Sequence, residues 1–344
     1  MKQINVLVTA ASRRVPLVRA FRSAVGKFGK GRVITTDINP LSPALYFGDR
    51  HHIVPLTTDR HYIPIIESIC DVEDINLVIP TIDDELPIFG KVRSRFESLG
   101  IAVAISKEET GLICNDKYRT YEFCRTNGIR TPETTLADQV DVAKVRYPAI
   151  VKPRFGRGSV NVFTVNNEDQ LRLFLSYVPD AILQEYVGGV EFTVDVLSDF
   201  NAQVISVVPR ERLVIRAGVS DKGVTRKNAD VMAFAASIAR QLEIVGAANI
   251  QCKWDGDTIT LIEVNPRFSG GIPLTLAAGA DFPAWLVQMC GGLKLRSQMG
   301  KFQDGLAMMS FEESIFAREA DLKIRHTDKP RMLSRMRHVS RFVN

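Results

Sequence analysis

Glutamate, asparagine and arginine occupy every second position of the stretch LIEVNPRFSGG, which is otherwise typical of a buried strand. Because successive side chains of a strand point to opposite faces, Glu263, Asn265 and Arg267 are predicted to share one face. Two oxygen donors followed by a cation suit a Mg²⁺ ion held against phosphates, because hard cations take few protein oxygens and complete their shell with phosphate and water. Gln251, in the preceding stretch NIQCKW, adds a further oxygen if the two strands pair. The pattern therefore predicts a metal site on one face of a strand.

The same alternation predicts the neighbours of these three side chains. Leu261 is expected on the polar face, whereas Ile262 and Val264 are expected on the opposite face, packed into the core. A polar strand that faces solvent is the alternative interpretation, although the apolar residues of the stretch argue against it.

A lysine precedes a glycine-rich loop in IVKPRFGRGSV. Lys152 lies near the end of a predicted strand and is followed by Gly156, Gly158 and Ser159, so an ammonium group and glycine amides can both approach phosphates. A hairpin turn beside a surface lysine is the alternative. The loop is not a Walker loop, because GxxxxGK[ST] is absent.

A glycine pair follows a predicted strand in LQEYVGGVEF. Gly188 and Gly189 would form a hinge whose backbone could hydrogen-bond an adenine edge, and Glu191 is placed to accept hydrogen bonds from ribose hydroxyls. An interdomain linker explains the same residues equally well.

Three arginines at even spacing, in PRERLVIR, are predicted to lie on one face of a long strand. Arg210, Arg212 and Arg216 could bind carboxylates or phosphates, whose geometry matches the guanidinium fork. A charged and exposed strand face is the alternative.

The composition is that of an ordinary folded protein. The 344 residues are enough for two or three compact units, and the hydrophobic fraction of 45% and charged fraction of 24% are typical of globular domains. Five scattered cysteines, with no histidine at ligand spacing, predict reduced core thiols and no structural zinc. No apolar run of membrane-spanning length and no signal peptide are evident, so we expect a cytoplasmic protein without a membrane partner.

The positive charge is concentrated at the end of the chain. Residues 317–344 hold eight Lys or Arg and three Asp or Glu, and this difference equals the formal net charge of +5. The segment has no nucleic-acid-binding motif and few aromatic residues, so we expect a solvated basic tail and no nucleic-acid partner.

Strands and helices alternate over the first third of the chain, which predicts a parallel, doubly wound sheet with its ligand crevice at the carboxyl ends of the strands. The first turn lacks GxGxxG, so NAD is not expected, and Asp37 could bind a ribose or merely cap a turn. A helix ended by Gly128 and a proline-containing linker follow. Long strands after residue 188 then predict an antiparallel sheet backed by helices, so the fold class is α/β combined with α+β.

Taken in order, these motifs resemble the ATP-grasp superfamily, in particular single-module enzymes similar to the large chain of carbamoyl phosphate synthase. The resemblance spans residues 5–316 and rests on Lys117, VKPRFGRGS, LQEYVGGVEF, IQCKW and IEVNPRFSGG. It implies an ATP-grasp fold with an N-terminal α/β domain over 1–112, a linker helix and lid over 113–187, and a metal- and nucleotide-binding part over 188–316, followed by the tail.

The resemblance also implies a role for each motif residue. The phosphate-binding groups would be Lys117, Lys152, Gly156, Gly158 and Ser159. The adenine and ribose contacts would be Gln184, Glu185, Tyr186, Val187 and Glu191. The metal ligands would be Gln251, Glu263 and Asn265. Arg267 would face the transferred phosphoryl group, which makes Arg267 and Lys152 the catalytic candidates. The implied cofactors are ATP and Mg²⁺, with Mn²⁺ as an alternative metal.

One departure concerns the loop after Ser159. Many relatives have a further glycine where this chain has Val160 and Asn161. Asparagine tolerates left-handed backbone better than most residues, so the loop is expected to keep its shape.

The implied activity is an ATP- and Mg²⁺-dependent carboxylate-amine ligase, or carboxylate-nucleophile ligase, that forms an acyl phosphate on a small metabolite, with an amino acid as one candidate. Carbamoyl phosphate synthesis, small-molecule phosphorylation and an ATP-binding regulator without turnover stay open, and so does a homodimer. Both substrates, an acid and an amine, would be small molecules. Their contacts are expected among Arg210, Arg212, Arg216, Asp83 and Ser269. Asp83 would bind an ammonium group, or else serve only as a helix N-terminal acid.

Overall fold

The computed structural model describes residues 3–319 and 322, except for 29, 157 and 217. Three sheets carry the fold, one parallel and two antiparallel. The predicted basic tail lies almost entirely outside the described residues.

The first sheet is parallel, as the alternation of strands and helices predicted. Its strand order is β3-β2-β1-β4-β5. The strands are β1 (Asn5–Val8), β2 (Val33–Asp37), β3 (Arg50–Ile53), β4 (Ile75–Ile79) and β5 (Ala102–Val103). Helices α1 (Val15–Phe28), α2 (Tyr62–Val72) and α3 (Leu86–Ser98) connect them. Val6 and Val8 share a core with α1, whereas Leu7 packs with α2 and α3, so helices cover both faces.

The turn after β1 contains no glycine, and Asp37 holds it in place. Ala10 and Ser12 adopt φ values of 46° and 47°, in the left-handed region. The Asp37 carboxylate accepts hydrogen bonds from the backbone N–H of Ser12 at 2.8 Å and of Asn39 at 2.9 Å. Asp37 therefore caps this turn.

Two helices lie before Gly128, and the second is the helix that the sequence predicted to end there. They are α4 (Glu108–Asn115) and α5 (Lys117–Thr126). Asp116 separates them because its backbone is extended and its carboxylate accepts the N–H groups of Tyr118 and Arg119 as the N-cap of α5. This cap places Lys117 at the first position of α5.

The second sheet is a small antiparallel unit with the strand order β6-β9-β7-β8. Its strands are β6 (Thr134–Leu136), β7 (Ala149–Pro153), β8 (Phe163–Val165) and β9 (Ala181–Glu185). Helix α6 (Glu168–Tyr177) covers it and begins after Asn167, whose side chain accepts the N–H of Gln170.

The third sheet has six antiparallel strands in the order β14-β13-β10-β11-β12-β15. They are β10 (Val190–Ser198), β11 (Val204–Arg216), β12 (Val219–Thr225), β13 (Gly246–Trp254), β14 (Ile259–Asn265) and β15 (Ala307–Met309). Helix α7 (Ala229–Gln241) packs on its apolar face, as predicted. Helices α8 (Ile272–Ala277) and α9 (Phe282–Cys290) pack against α1, so the first and third sheets share a core.

A buried ion pair holds the loop after β14 to the third sheet. Arg210, which is fully buried, donates to both carboxylate oxygens of Asp195 and to Ser269 Oγ at 2.9 Å. A Cβ atom at Gly271 would lie 2.3 Å from Arg210 Nη1, so this loop accepts only glycine there. Arg210 and Ser269, which the sequence nominated as substrate contacts, thus bind each other inside the protein.

Replacing Asp195 by alanine is expected to lower the free energy of unfolding by about 3–5 kcal/mol, because it leaves a buried guanidinium without its partner. Chemical denaturation measures this change. Asp257→Ala, which removes an exposed carboxylate, should leave stability within about 0.5 kcal/mol of the wild type. Equal effects of the two substitutions would contradict a structural role for the pair.

Candidate functional site

A cleft of about 510 Å³ lies between the second and third sheets. Strands β7 and β9 form one wall, and β10, β13 and β14 form the other. Most of the predicted nucleotide-binding residues line it, namely Lys117, Lys152, Gly156, Gly158, Ser159, Gln184, Glu185, Tyr186, Val187, Glu191, Gln251 and Glu263. A smaller adjoining cavity of about 120 Å³ is lined by residues that include Asp83, Lys117, Glu263 and Asn265.

A β-bulge in β14 corrects the predicted alternation. Gln251 pairs with Glu263 whereas Cys252 pairs with Leu261, so Ile262 is an extra residue. Leu261 is therefore buried in the core beside Val264, and Ile262 lines the cleft next to Glu263. The prediction that Ile262 packs into the core and Leu261 joins the polar face was wrong. Bulges are common beside functional sites because they redirect individual side chains in this way.

Three oxygen-bearing side chains suit a divalent cation, namely Glu263 and Asn265 on β14 and Gln251 on the neighbouring strand β13. Glu263 lies opposite Gln251, and Asn265 lies opposite Asn249. No hydrogen bond to the Glu263 carboxylate is found within the described residues, whereas Asn265 Oδ1 accepts from Arg267 at 3.0 Å. One carboxylate and two amides leave most of a metal's coordination shell to other ligands, which is the pattern expected for Mg²⁺ held together with phosphates. Groups of three or more His, Cys, Asp or Glu that could bind a metal are absent from the part of the chain that the structure describes.

Two lysines face this carboxylate from the opposite wall. Lys152, on β7, is 8% exposed, and burial together with the nearby Lys117 lowers its pKa to about 8, although Glu263 opposes the shift. Lys117 Nζ donates to the Gly156 carbonyl at 2.9 Å, and burial lowers its pKa as well. The lysines concentrate positive charge at one end of the cleft.

The glycine-rich loop keeps left-handed backbone at four described positions. Gly156, Gly158, Ser159 and Asn161 have φ values of 110°, 73°, 56° and 56°. Asn161 thus adopts the conformation that the sequence predicted for it. A Cβ atom at Gly218 would lie 2.7 Å from the Gly158 carbonyl carbon, so the turn between β11 and β12 rests directly on the loop.

The hinge after β9 presents backbone and apolar surface to the cleft. The Gln184 side chain is buried and donates to Thr134 Oγ1 at 2.9 Å, and its backbone lies within β9 between Thr134 of β6 and Ile150 of β7. Lys253 Nζ donates to the Val187 carbonyl at 2.8 Å and lies 5.3 Å from the centre of the Tyr186 ring. The exposed Glu185 carboxylate accepts the N–H of Glu133 at 3.3 Å.

Arg212 joins three parts of the site. It donates to Glu191 Oε1 at 2.6 Å, to Gln251 Oε1 at 3.4 Å and to the Gly218 carbonyl at 2.9 Å. Arg216 does not share this face, because Leu213 is an extra residue in β11, and it pairs instead with Asp221 and Glu312. The predicted common face of Arg212 and Arg216 was wrong.

Arg267 forms a fork-to-fork pair with Asp83, at the carboxyl end of the first sheet. Its Nε and Nη2 atoms each lie 2.8 Å from a carboxylate oxygen of Asp83. The shared core of the first and third sheets, including the edge-to-face contact of Phe21 with Phe268, brings these two residues together.

Two residues of this site were missed in the sequence. Asn249 and Lys253 lie two residues before and two residues after Gln251 on β13, so the period of two was visible in NIQCKW. Asn249 Nδ2 lies within 3.4 Å of the carbonyl oxygens of Asn265 and Arg267. Strand pairing was needed to show that this row faces Glu263.

Family models and solved structures agree on the fold. A model for the N-terminal domain of PylC-like proteins matches residues 6–104, and a model described as ATP-grasp in the biosynthetic pathway with Ter operon matches residues 177–314. The biotin carboxylase domain of Hydrogenobacter thermophilus 2-oxoglutarate carboxylase has a TM-score of 0.72 and 16% identity, covering 89% of this chain and 74% of that one. The chain has the ATP-grasp fold.

Two curated proteins and a further solved structure also resemble the chain. The D-alanine--D-alanine ligase of Petrotoga mobilis is 29% identical over 143 residues, which are 39% of this chain and 48% of that ligase. The arginine-specific carbamoyl phosphate synthase large chain of Bacillus subtilis is 25% identical over 259 residues, or 70% of this chain and 24% of that protein. An L-amino acid ligase from Bacillus licheniformis has a TM-score of 0.66 and 19% identity, covering 84% of this chain and 74% of that one.

The matched segments span about half or less of these two curated relatives. Within the described residues, no helix is both long and apolar enough to cross a membrane.

Lys152 is expected to titrate with a pKa of about 8, because burial disfavours its ammonium form. NMR titration of isotope-labelled lysine side chains measures it, and Lys152→Arg identifies the signal by removing it. Glu263→Gln should lower this pKa further, because the carboxylate stabilises the ammonium. A midpoint for Lys152 near the ordinary lysine value of about 10.4 would contradict its burial beside Lys117.

Proposed function

We propose that this ATP-grasp protein is an ATP- and Mg²⁺-dependent carboxylate-amine ligase that forms an acyl phosphate on a small metabolite. The observation that carries the proposal is the arrangement around Glu263. This carboxylate, paired across the strands with Gln251, lines a nucleotide-sized cleft together with Lys152, and Arg267 donates to Asn265, two residues after Glu263. A nucleotide-binding module without turnover has no need of both the metal-type oxygens and the additional cations.

The relatives support the reaction type. Those named above include a D-alanine--D-alanine ligase and an L-amino acid ligase, and both names denote ligases that act on amino acids. This chemistry requires cations and metal-binding oxygens, and the chain offers both in Lys152, Gln251, Glu263, Asn265 and Arg267.

Charge dictates how the residues would act. A carboxylate that attacks the γ-phosphate of ATP brings one anion to another, so cations must offset the charge that accumulates. Lys152 and Lys117 would bind the phosphates, and Arg267 would hold the attacking carboxylate. Gln251, Glu263 and Asn265 would bind Mg²⁺, which supplies further positive charge when present.

The products follow from the bonds that change. The carboxylate oxygen bonds to the γ-phosphorus while the bond between the β-γ bridging oxygen and that phosphorus breaks, and ADP leaves. The amine then attacks the acyl carbon, phosphate leaves, and the nitrogen loses a proton as the amide forms.

Water must be excluded while the acyl phosphate exists, because water would hydrolyse it. The second sheet and its glycine-rich loop would serve as a lid over the phosphates, and the contact between Gly158 and Gly218 would close the cleft on one side. The hinge from Gln184 to Val187 would bind adenine between Ile150 and Ile262, which line the cleft.

The proposal is tested by following ADP release with Mg²⁺ while pairs of carboxylic acids and amines are screened, with mass spectrometry of the products. Substrate-dependent ADP release together with an amide product would support a ligase. A phosphorylated product that needs no amine would indicate a kinase. Tight ATP binding without ADP release across a broad panel would indicate a regulator.

Glu263→Gln is expected to lower kcat by about 100-fold or more, because it removes the one carboxylate of the proposed metal site. Circular dichroism and melting temperature should stay close to those of the wild type, since no described residue hydrogen-bonds this carboxylate. Glu109→Gln, a matched change at an exposed helical position, should retain full activity. Turnover preserved in the Glu263 variant would exclude it as a metal ligand.

A further inference from the structure

The Asp83-Arg267 pair occupies the place where the acid substrate would be activated. Its members are separated by 184 residues and are 14% and 12% exposed. Arg267 also donates to Asn265, and Asp83 lines the small cavity together with Lys117 and Glu263. The pair therefore lies at the junction of the proposed metal, phosphate and substrate positions.

The hydrogen bonds of Arg267 leave no pair of N–H groups that could bind a substrate carboxylate in a bidentate manner. Nε and Nη2 bind the two oxygens of Asp83, and Nη1 donates to the Phe268 carbonyl at 3.2 Å. A carboxylate that binds Arg267 in a bidentate manner must take the position of the Asp83 carboxylate. Substrate binding at Arg267 thus requires the internal pair to open.

Opening the pair has a cost that depends on the charge of the substrate. A simple carboxylate would replace Asp83 on Arg267 but leave Asp83 as an anion in a largely covered position without its counter-ion. A zwitterion would satisfy both residues, since its carboxylate would bind Arg267 and its ammonium would bind Asp83. The internal pair would be exchanged for two external ones with no change in net charge.

No neighbouring group among the described residues takes the place of a substrate ammonium as the partner of the Asp83 carboxylate. Lys117 lines the same cavity, but its Nζ donates to Gly156 at 2.9 Å and would be needed for the phosphates. Asn115 donates to the Asp83 backbone carbonyl and not to its carboxylate. Of the adjacent acids, Glu85 is fully buried and binds the Tyr62 hydroxyl and the Thr81 N–H, so it closes the turn after β4.

We infer that the acid substrate is an amino acid, with Arg267 binding its carboxylate and Asp83 binding its ammonium group. This inference rests on the proposed ligase function and names the class of its acid. Asp83 acts here as a specificity-determining residue that disfavours acids lacking a positive charge.

Matched substrates test the inference with the full-length protein, Mg²⁺ and ATP. Each amino acid of a panel is compared with its N-acetyl derivative and with the acid that lacks the amino group, for example alanine with N-acetylalanine and propionate. ADP release with amino acids, and at least about tenfold lower kcat/KM with the matched acids, is expected. If acids without an ammonium group are used equally well, the inference is wrong while the ligase proposal stands. If no carboxylate promotes ADP release, the ligase proposal itself fails.

Asp83→Asn should change selectivity in opposite directions for the two kinds of acid. The KM for the amino acid should rise by about tenfold or more, whereas the KM for the acid without an amino group should fall, because Arg267 no longer has to leave an anion. The KM for ATP should stay within about twofold.

Asp71→Asn removes an exposed carboxylate from α2 at the opposite end of the first sheet and should leave both KM values unchanged. A merely structural role for Asp83 would raise both KM values together and lower the melting temperature, and that result would overturn the assignment.

Discussion

The bulge at Ile262 is the local feature on which the arrangement of the cleft depends. Because one extra residue is inserted between two regular pairs, β14 presents Ile262 and Glu263 to the cleft at consecutive positions and still buries Leu261 and Val264 in the core. A regular strand can present only every second residue to one face. One short strand therefore contributes both an apolar wall and a carboxylate, which are the surfaces that the two ends of a nucleotide require.

Cations in the site are balanced by the protein's own acids. Arg212 pairs with Glu191, Arg267 pairs with Asp83, and the charge of Glu263 acts on both cleft lysines. A protein that binds several anions would otherwise bury uncompensated positive charge, which is costly. Ligand binding in such a site consists largely of exchanging ion partners, and its selectivity depends on which ligands restore the balance.

The sequence was informative where chemistry depends on local spacing. The period of two in β14 predicted opposite faces for Glu263 and Val264, and Glu263 lines the cleft while Val264 is buried in the core. The sequence did not predict the features that depend on how the strands pair. The bulge at Ile262, the row that includes Asn249 and Lys253, and the meeting of Arg267 with Asp83 all depend on registers or on packing between distant segments. The full burial of Arg210 has the same origin, because only the folded sheet places Asp195 beside it.

The contact of Gly158 with Gly218 joins two loops from different sheets through backbone alone. The β11-β12 turn can approach the loop this closely because Gly218 carries no side chain. On the proposed function, these two loops would separate when ADP leaves, and neither contributes a proposed metal ligand. Arg212 donates to the Gly218 carbonyl and to Gln251, so the β11-β12 turn would connect the release of product to the proposed metal site.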